Sequence, residues 1–187
     1  MGEFIGRGRK ARRCYGFDEI ALAPGAVTIN PNEVDPSWTL DGKRFRVPIL
    51  ASAMDGVVDV KFAIAFGKLG GLAVLNLEGV QTRYEHPEEI LAKIVKAKGN
   101  AATELLQTVY REPIKEKLVA KRIEEMKKAK APAAVSTIPQ RAEKFGPIAQ
   151  EAEADVFVVQ STVSTVQHVS SEYKSLDIAR FCKTMEI

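Results

Sequence analysis

The segment PILASAMDGVVD (48–59) ends an apolar run on side chains that could do chemistry. Ser52 offers a hydroxyl that donates and accepts hydrogen bonds, Met54 a flexible and polarizable thioether, and Asp55 a carboxylate. This ending fits the lip of a binding site. It also fits a plain corner between a strand and a helix, with Asp55 or Asp59 as the helix N-cap, because aspartate is common at that position. The spacing alone leaves both interpretations open.

Two other apolar runs also end on polar side chains. One ends on Asn76 and is followed by Glu78, and the other ends on Gln160, Ser161 and Thr162. If these runs are parallel strands, their carboxyl ends meet at one edge of a sheet, where α/β proteins place their functional groups. The pattern therefore predicts a shared site at that edge.

The two cysteines give little evidence of nucleophilic chemistry. Cys182 falls on a predicted helix with Ile178 and Met185 on one apolar face, so we expect a buried and inert thiol there. Cys14 lies among arginines but has no evident partner base. The pair has no C-x-x-C spacing, which argues against a metal site or a disulfide scaffold.

The two histidines, His86 and His168, show no metal-ligand spacing, and we interpret both as surface residues. His168 follows a loop rich in serine and threonine. It is the better candidate for a role beside a cofactor if that loop folds over the site. The sequence predicts no metal.

Composition indicates one globular domain in the 187 residues, with 45% hydrophobic and 27% charged residues and a net charge of +3. No apolar stretch could span a bilayer, and the N-terminus lacks a secretory h-region, so we expect a cytoplasmic protein without a membrane partner. Basic residues concentrate in 6–13 and 114–130. Because neither segment interleaves aromatic residues, and the second has the stripe of an amphipathic helix, we expect no nucleic-acid partner.

Four near-continuous apolar runs predict buried parallel strands, and helical patterns separate them. The predicted strands cover 47–54, 71–77, 133–138 and 155–161. The predicted helices cover 59–71, 87–98, 101–110, 113–129, 139–154 and 170–186. No linker divides the chain. A parallel α/β architecture with right-handed crossovers follows.

A doubly wound sheet and a barrel both fit this order of elements. The dinucleotide fingerprint of the doubly wound fold, G-x-G-x-x-G after a strand, is missing. Polar groups end three of the four predicted strands, as in barrels that carry function at the carboxyl ends of their strands. The barrel is therefore favoured.

Several segments together resemble the IMP dehydrogenase/GMP reductase family, and the chain looks closest to its short branch without the regulatory domain pair. They are YGFDEIALAP (15–24), VPILASAMDGVVDVKFAIAFGKLGGLAVLNLEG (47–79) and ADVFVVQSTVSTVQHVS (154–170). The resemblance implies the N-terminal half of a (β/α)8 TIM barrel within one partial domain, 1–187. Residues 1–46 would be an extension and 47–187 the first four β/α units.

The same resemblance implies an oxidoreductase that acts on a purine nucleotide monophosphate, IMP or GMP, with NAD or NADP, in an enzyme that is usually tetrameric. In such enzymes a cysteine thiolate attacks the purine C2 and hydride passes to or from the cofactor. By position, Ser52 and Met54 match residues that line the nucleotide pocket. Gln160, Ser161 and Thr162 match the cofactor side, where longer members carry Asp-Ser. An amide in place of that acid leaves the choice between NAD and NADP open.

The family's nucleophilic cysteine follows a later strand, in the half of the barrel beyond the four units seen here. Neither cysteine of this chain takes its place, so the resemblance implies no catalytic residue within it. Three hypotheses remain open. They are part of an IMP dehydrogenase or GMP reductase, a catalytically inactive half-barrel, and a basic binding protein. The direction of the reaction and the roles of Asp55, Asn76 and His168 are not decided by the sequence.

Overall fold

The computed structural model describes residues 2–160, 171 and 175–187. The chain forms two compact units, Met1–Asp35 and Pro36–Ile187. The first contains an antiparallel pair, β1 (Glu3–Phe4) and β2 (Lys10–Ala11), and two single-turn 3-10 helices, Phe17–Glu19 and Pro31–Glu33. None of its described residues is buried, so this unit has no core of its own.

The second unit begins with a hairpin, β3 (Trp38–Leu40) and β4 (Lys43–Phe45). Its turn is Asp41-Gly42, and both residues have positive φ, 45° and 74°. An Asp-Gly pair with this backbone matches the twist of the flanking strands. The turn brings the Trp38 and Phe45 rings into a stack with centroids 4.8 Å apart. The hairpin, which lies within 1–46, thus belongs to the unit that carries the sheet.

That sheet has four parallel strands in the order β5 (Leu50–Ala51), β6 (Leu72–Asn76), β7 (Ala134–Thr137) and β8 (Val156–Val159). All three pairings are parallel and join strands that follow one another along the chain. The predicted parallel arrangement is confirmed. β5 is shorter than the predicted 47–54, because Pro48 has no N–H to donate and the strand has a neighbour on one side only.

All six predicted helices form. They are α1 (Val60–Leu69), α2 (Pro87–Lys96), α3 (Asn100–Arg111), α4 (Glu116–Lys128), α5 (Pro139–Glu151) and α6 (Ile178–Thr184). The helix predicted at 101–110 is longer by one residue at each end, and the other helices before the last are shorter by up to three residues at an end. The helix predicted at 170–186 has only seven residues, and 170 and 172–174 lie outside the described residues. Asp59 caps α1, since its carboxylate accepts from the Phe62 N–H at 2.6 Å. Gly70 ends the helix in the left-handed conformation, with φ of 94°. Three helices, α2 to α4, fill the long connection between β6 and β7.

The two faces of the sheet carry different cores. One face packs against the helices, and its cluster includes Leu75, Val135, Ile123 and Phe145. The other face holds a smaller cluster centred on Phe45 of the hairpin. Since side chains alternate along a strand, every second residue belongs to the same face. We call the face against Phe45 the inner face.

The prediction for Cys182 is wrong. Its thiol is exposed, and so is Ile178, whereas Phe181 is buried. Phe181 packs against Ala142 and Phe157, and the rings of Phe157 and Phe181 lie 5.8 Å apart. The buried face of α6 is therefore offset by one residue from the predicted one, because the large aromatic ring gains more from burial than the thiol would.

At the amino edge of the sheet, Asp155 ties three segments together. Its carboxylate accepts from the Ala133 N–H at 2.8 Å, from Lys127 Nζ at 2.7 Å and from Lys43 Nζ. Burial alone would raise the pKa of Asp155. The N–H and the two ammonium groups outweigh burial, so the pKa lies below its ordinary value of 3.8.

The low pKa of Asp155 makes stability depend on pH. The unfolded chain binds the proton more tightly, so this contribution is present above the unfolded pKa and is lost as pH falls through the folded one. We expect Asp155→Asn to lower the free energy of unfolding by about 2 kcal/mol at neutral pH and to flatten its acid dependence. Urea unfolding from about pH 7 to pH 3 measures both effects. Asp41→Asn, at the exposed turn of the hairpin, is the control. If its stability depended on pH as weakly as that of Asp155→Asn, the acid dependence could not be assigned to Asp155.

Candidate functional site

The carboxyl ends of β5 to β8 meet at one edge of the sheet, because all four strands are parallel. Ser52 follows β5 at one end of this edge, and Gln160 follows β8 at the other. Neighbouring strands lie about 4.8 Å apart, so three spacings separate the two residues by about 14 Å. The edge thus carries both predicted groups but does not bring them into contact.

The backbone after β5 folds into a tight corner at Ser52 and Met54. The Met54 N–H donates to Ser52 O at 2.8 Å, and the N–H groups of Val57 and Val58 donate to Met54 O at 2.9 Å. Both Ser52 and Met54 are exposed, Met54 to 58%. The corner therefore presents a hydroxyl and a thioether at the edge without using either in the fold.

Asp55 is an anchor for this corner rather than the cap of α1. Its Oδ2 accepts from the Val80 N–H at 2.9 Å and from the Tyr110 hydroxyl at 2.5 Å. Val80 begins the single-turn 3-10 helix Val80–Thr82 after β6, and Tyr110 lies in α3. One carboxylate thus joins the end of β5 to two later segments. Its Oδ1 is buried and has no hydrogen-bond partner in the described part of the chain.

Tyr110 is held in its neutral, donating form. Burial, the hydrogen bond to Asp55 and the charge of that carboxylate all raise the pKa of Tyr110, and the cation of Arg83 opposes them. The Arg83 guanidinium lies 5.6 Å from the centre of the Tyr110 ring. A phenol with a raised pKa keeps its proton at neutral pH, so Tyr110 donates to Asp55 and positions it.

Glu78 makes a second tie across the edge. Its carboxylate accepts from Thr137 Oγ1 at 2.5 Å and from Arg141 Nη1 at 2.6 Å, which links the loop after β6 to β7 and to α5. The neighbouring Asn76 Oδ1 accepts from the Glu78 N–H at 2.9 Å and fixes the turn. Glu78, predicted as a polar strand end, is therefore engaged within the protein.

A row of polar residues runs along the inner face near the carboxyl ends. Because side chains alternate along a strand, Asn76 lies on the same face as Val74, and Ser136 on the same face as Ala134. Val74 and Ala134 both belong to the inner cluster. The strand register sets Asn76 beside Ser136 and Ser136 beside Val158. The same alternation places Gln160, directly after β8, on the face of Val158. Ser52 stands at this edge directly after β5, where Ala53 joins the inner cluster. We call Ser52, Asn76, Ser136 and Gln160 the polar row.

Sequence reasoning missed Ser136. It lies inside an apolar run, and only its period-two relation to Ala134 distinguishes it from its neighbours. Its side chain is fully buried, and its Oγ has no hydrogen-bond partner among the described residues. A buried hydroxyl without a partner is uncommon in folded proteins, so Ser136 is the unusual polar residue of this strand.

Of the three residues predicted on the cofactor side, the structure describes Gln160. Its N–H donates to Thr137 O at 2.9 Å and its side chain is half-buried, so the strand fixes its backbone and leaves the amide available. Ser161 and Thr162 lie outside the described residues, and so does His168.

A protein-family comparison decides the relationship of the chain. Residues 14–181 match the model of the IMP dehydrogenase/GMP reductase domain. The chain belongs to the IMP dehydrogenase/GMP reductase family. The predicted resemblance is confirmed, and the match covers both the Ser52 corner and the end of β8.

Similar members of the family extend well beyond this chain. Uncharacterized oxidoreductases of Mycolicibacterium smegmatis and Mycobacterium tuberculosis are 32% and 33% identical over 188 aligned residues, which cover 98% of this chain and 50% of each relative. An inosine-5'-monophosphate dehydrogenase of Methanocaldococcus jannaschii is 39% identical over 67 residues, 36% of this chain. The chain spans about half the length of the first of these relatives.

A solved structure of the family has the same fold over its matched half. The IMP dehydrogenase/GMP reductase-like protein of Corynebacterium glutamicum superposes with a TM-score of 0.85 at 30% identity, covering 98% of this chain and 49% of that one. The predicted α/β half-barrel is confirmed. Within the part of the chain that the structure describes, no helix is long and apolar enough to cross a membrane.

Neither cysteine belongs to the polar row. Cys14 belongs to the first unit, and Cys182 lies in α6, which packs through Phe181 on the helical face of the sheet. Among the described residues, no three His, Cys, Asp or Glu side chains group as metal ligands. The polar row therefore offers hydrogen-bonding groups and a thioether, but no thiol.

Proposed function

We propose that this chain forms the first half of the barrel of a purine-nucleotide oxidoreductase of the IMP dehydrogenase type. The observation that carries the proposal is the polar row Ser52, Asn76, Ser136 and Gln160 at the carboxyl edge of a family-matched sheet. Family barrels use that edge for function. The row supplies donors and acceptors for the phosphate, ribose and base of a nucleotide.

In this proposal, Ser52 donates to a phosphate or ribose oxygen, and Met54 lies under the purine ring. Both are exposed at the corner that Asp55 anchors. The half-buried Gln160 fits the cofactor side, since a carboxamide can hydrogen-bond a ribose hydroxyl. Ser161 and Thr162 are proposed beside it. When bound, NAD or NADP accepts or delivers a hydride at C2 of the purine.

The balanced reaction of the dehydrogenase is IMP + NAD⁺ + H₂O → XMP + NADH + H⁺. Because the polar row includes no thiol, we propose that the nucleophile comes from the other half of the barrel. This half then binds and orients the nucleotide, and by itself it turns nothing over. Oligomeric assembly through the intact barrel, as in the family's tetramers, is part of the same proposal.

One observation favours a reductase as the second candidate. Gln160 is uncharged, so it does not repel the 2′-phosphate of NADPH as a carboxylate would. That reaction is GMP + NADPH + 2H⁺ → IMP + NH₄⁺ + NADP⁺. Comparing the binding of NAD and NADPH to wild type and to Gln160→Asp separates the two, because the aspartate would weaken only NADPH.

The proposed nucleotide contact is tested by titrating the chain with IMP and with GMP in a calorimeter. We expect weak binding, and about tenfold weaker binding by Ser52→Ala, since one hydrogen bond to a charged phosphate is lost. Thr103→Ala removes an exposed hydroxyl from α3 and is the matched control. Equal binding by all three proteins would overturn the role of Ser52. Turnover of IMP and NAD by the chain alone would overturn the placement of the nucleophile.

A further inference from the structure

A cationic cavity lies at the amino edge of the sheet, opposite the polar row. It has a volume of about 520 Å³, is open to solvent and is bordered by the hairpin, the end of α1 and the loop after α4. Among the described residues that line it, Asp155 is the only acidic one. Five cationic side chains line it: Lys43, Arg44, Arg46, Lys127 and Lys130.

Close backbone packing builds the walls of this cavity. A Cβ on Gly67 would lie 2.7 Å from Pro132 Cδ, so α1 and the loop after α4 touch where only glycine fits. A Cβ on Gly70 would lie 2.7 Å from Arg46 Cβ. Lys130 adopts a left-handed backbone, with φ of 56°, which disfavours side chains other than Gly, Asn and Asp. A cationic side chain thus stands at a turn position where a small residue would cost less.

The positive charge in the cavity exceeds what the fold needs. Asp155 accepts from both Lys43 and Lys127, so one carboxylate already has two cationic partners. Arg46 donates to the Lys68 carbonyl at 2.9 Å, which satisfies the end of α1 without balancing the charge. Arg44 donates to Ser37 Oγ at 3.0 Å and is already engaged within the fold. The other four cations against one carboxylate leave three in excess. Like charges gathered around a cavity repel one another, and a bound anion removes that cost.

We propose that this cavity binds an oligophosphate group, either free or as the phosphate tail of a nucleotide. Arginine offers a planar fork of donors and lysine a compact point charge, and the two together match phosphate oxygens. The volume lies within the range of small-ligand pockets. The site is separate from the proposed catalytic edge, so its failure would leave the proposed function untouched.

Calorimetric titration of the full chain with inorganic pyrophosphate tests the cavity. We expect Lys43→Gln and Lys130→Gln each to weaken binding by about five- to tenfold, because each removes one charged contact. Lys117→Gln, an exposed site on α4 outside the cavity, removes the same charge and should leave binding within about twofold, the limit expected of a distant surface charge. Equal weakening by all three variants, or no heat at millimolar pyrophosphate, would overturn the proposal.

Two further titrations identify the source of the phosphate. If ATP or GTP binds more tightly than pyrophosphate, and Lys130→Gln weakens that binding by the same factor, the ligand is the phosphate tail of a nucleotide. Binding of the triphosphates no tighter than pyrophosphate would assign the free anion. A single-stranded RNA could also bind more tightly than pyrophosphate and the triphosphates. If Lys117→Gln weakened that RNA binding as much as Lys130→Gln does, the result would overturn a small-molecule site and indicate a diffuse basic surface.

Discussion

Replacing Arg122 with alanine is expected to lower the free energy of unfolding by about 4 kcal/mol, the range for breaking a buried charged network. Arg122 is only 6% exposed. Its Nε donates to Gln81 O at 2.9 Å, and its Nη2 donates to Glu85 O at 2.8 Å. Its Nη1 lies 3.1 Å from both oxygens of Glu125. Alanine removes all of these donors together.

The effect should be large because the carbonyl groups stay behind. Gln81 O lies in the single-turn 3-10 helix Val80–Thr82 and Tyr84 O in the segment after it, and Arg122 donates to both. A buried acceptor that loses its donor keeps its full desolvation cost. Arg122 thus fixes the segment that also donates the Val80 N–H to Asp55.

Chemical unfolding in urea, followed by circular dichroism, measures this loss. Arg122→Lys should recover part of it, because an ammonium group reaches fewer of the acceptors than the planar fork. Lys117→Ala lies on the exposed side of the same helix and should change stability by less than about 0.5 kcal/mol. If Arg122→Ala resembled this control, the segment 81–85 would owe its position to other contacts.

The order and direction of the strands could be predicted because their residues are apolar on both faces. Near-continuous runs such as LAVL (72–75) in β6 have no polar face, so they are buried when both sides of the sheet are covered. The extent of β5 could not be predicted in the same way. Its length depends on pairing with Leu72 and Ala73 alone, and no partner strand extends it beyond Ala51.

The buried face of α6 was beyond sequence reasoning for a related reason. Its seven residues include apolar side chains on more than one side, so periodicity does not select a face. The choice is made by distant residues. Phe157 meets the Phe181 ring, and Gly146 leaves room for it, since a Cβ there would lie 2.9 Å from the ring. Such long-range complementarity leaves no pattern in the seven residues themselves.

The candidate site also contains residues that the sequence could predict and residues that it could not. Ser52, Met54 and Gln160 could be selected because each stands where an apolar run ends. The link from Asp55 to Tyr110 spans 55 positions and depends on how α3 folds back. Ser136 was missed because a single serine in a buried strand resembles a core residue. Local signals therefore locate the edge of the site, while its anchoring depends on tertiary packing.

Gly79→Ala is expected to lower the free energy of unfolding by about 3 kcal/mol, near the upper end of overpacking costs. Gly79 is buried, and a Cβ at this position would overlap Asp55 Oδ1, an atom of a side chain that its own hydrogen bonds hold in place. Asp55 would have to leave, and it would give up its hydrogen bonds from Val80 and Tyr110. The same methyl group would thereby release the corner that presents Ser52.

Two measurements separate this displacement from general strain. Urea unfolding gives the loss of stability, and ultraviolet titration of the tyrosines should show the pKa of Tyr110 falling, because the carboxylate that raises it has moved away. Gly56→Ala is the control, since a Cβ there meets nothing within 4 Å. If both variants titrated like wild type, Asp55 would not be the group that holds Tyr110. If the pKa of Tyr110 falls only in Gly79→Ala, the Asp55 carboxylate is what joins the Ser52 corner to α3. Weaker IMP binding by that variant should accompany the fall in pKa.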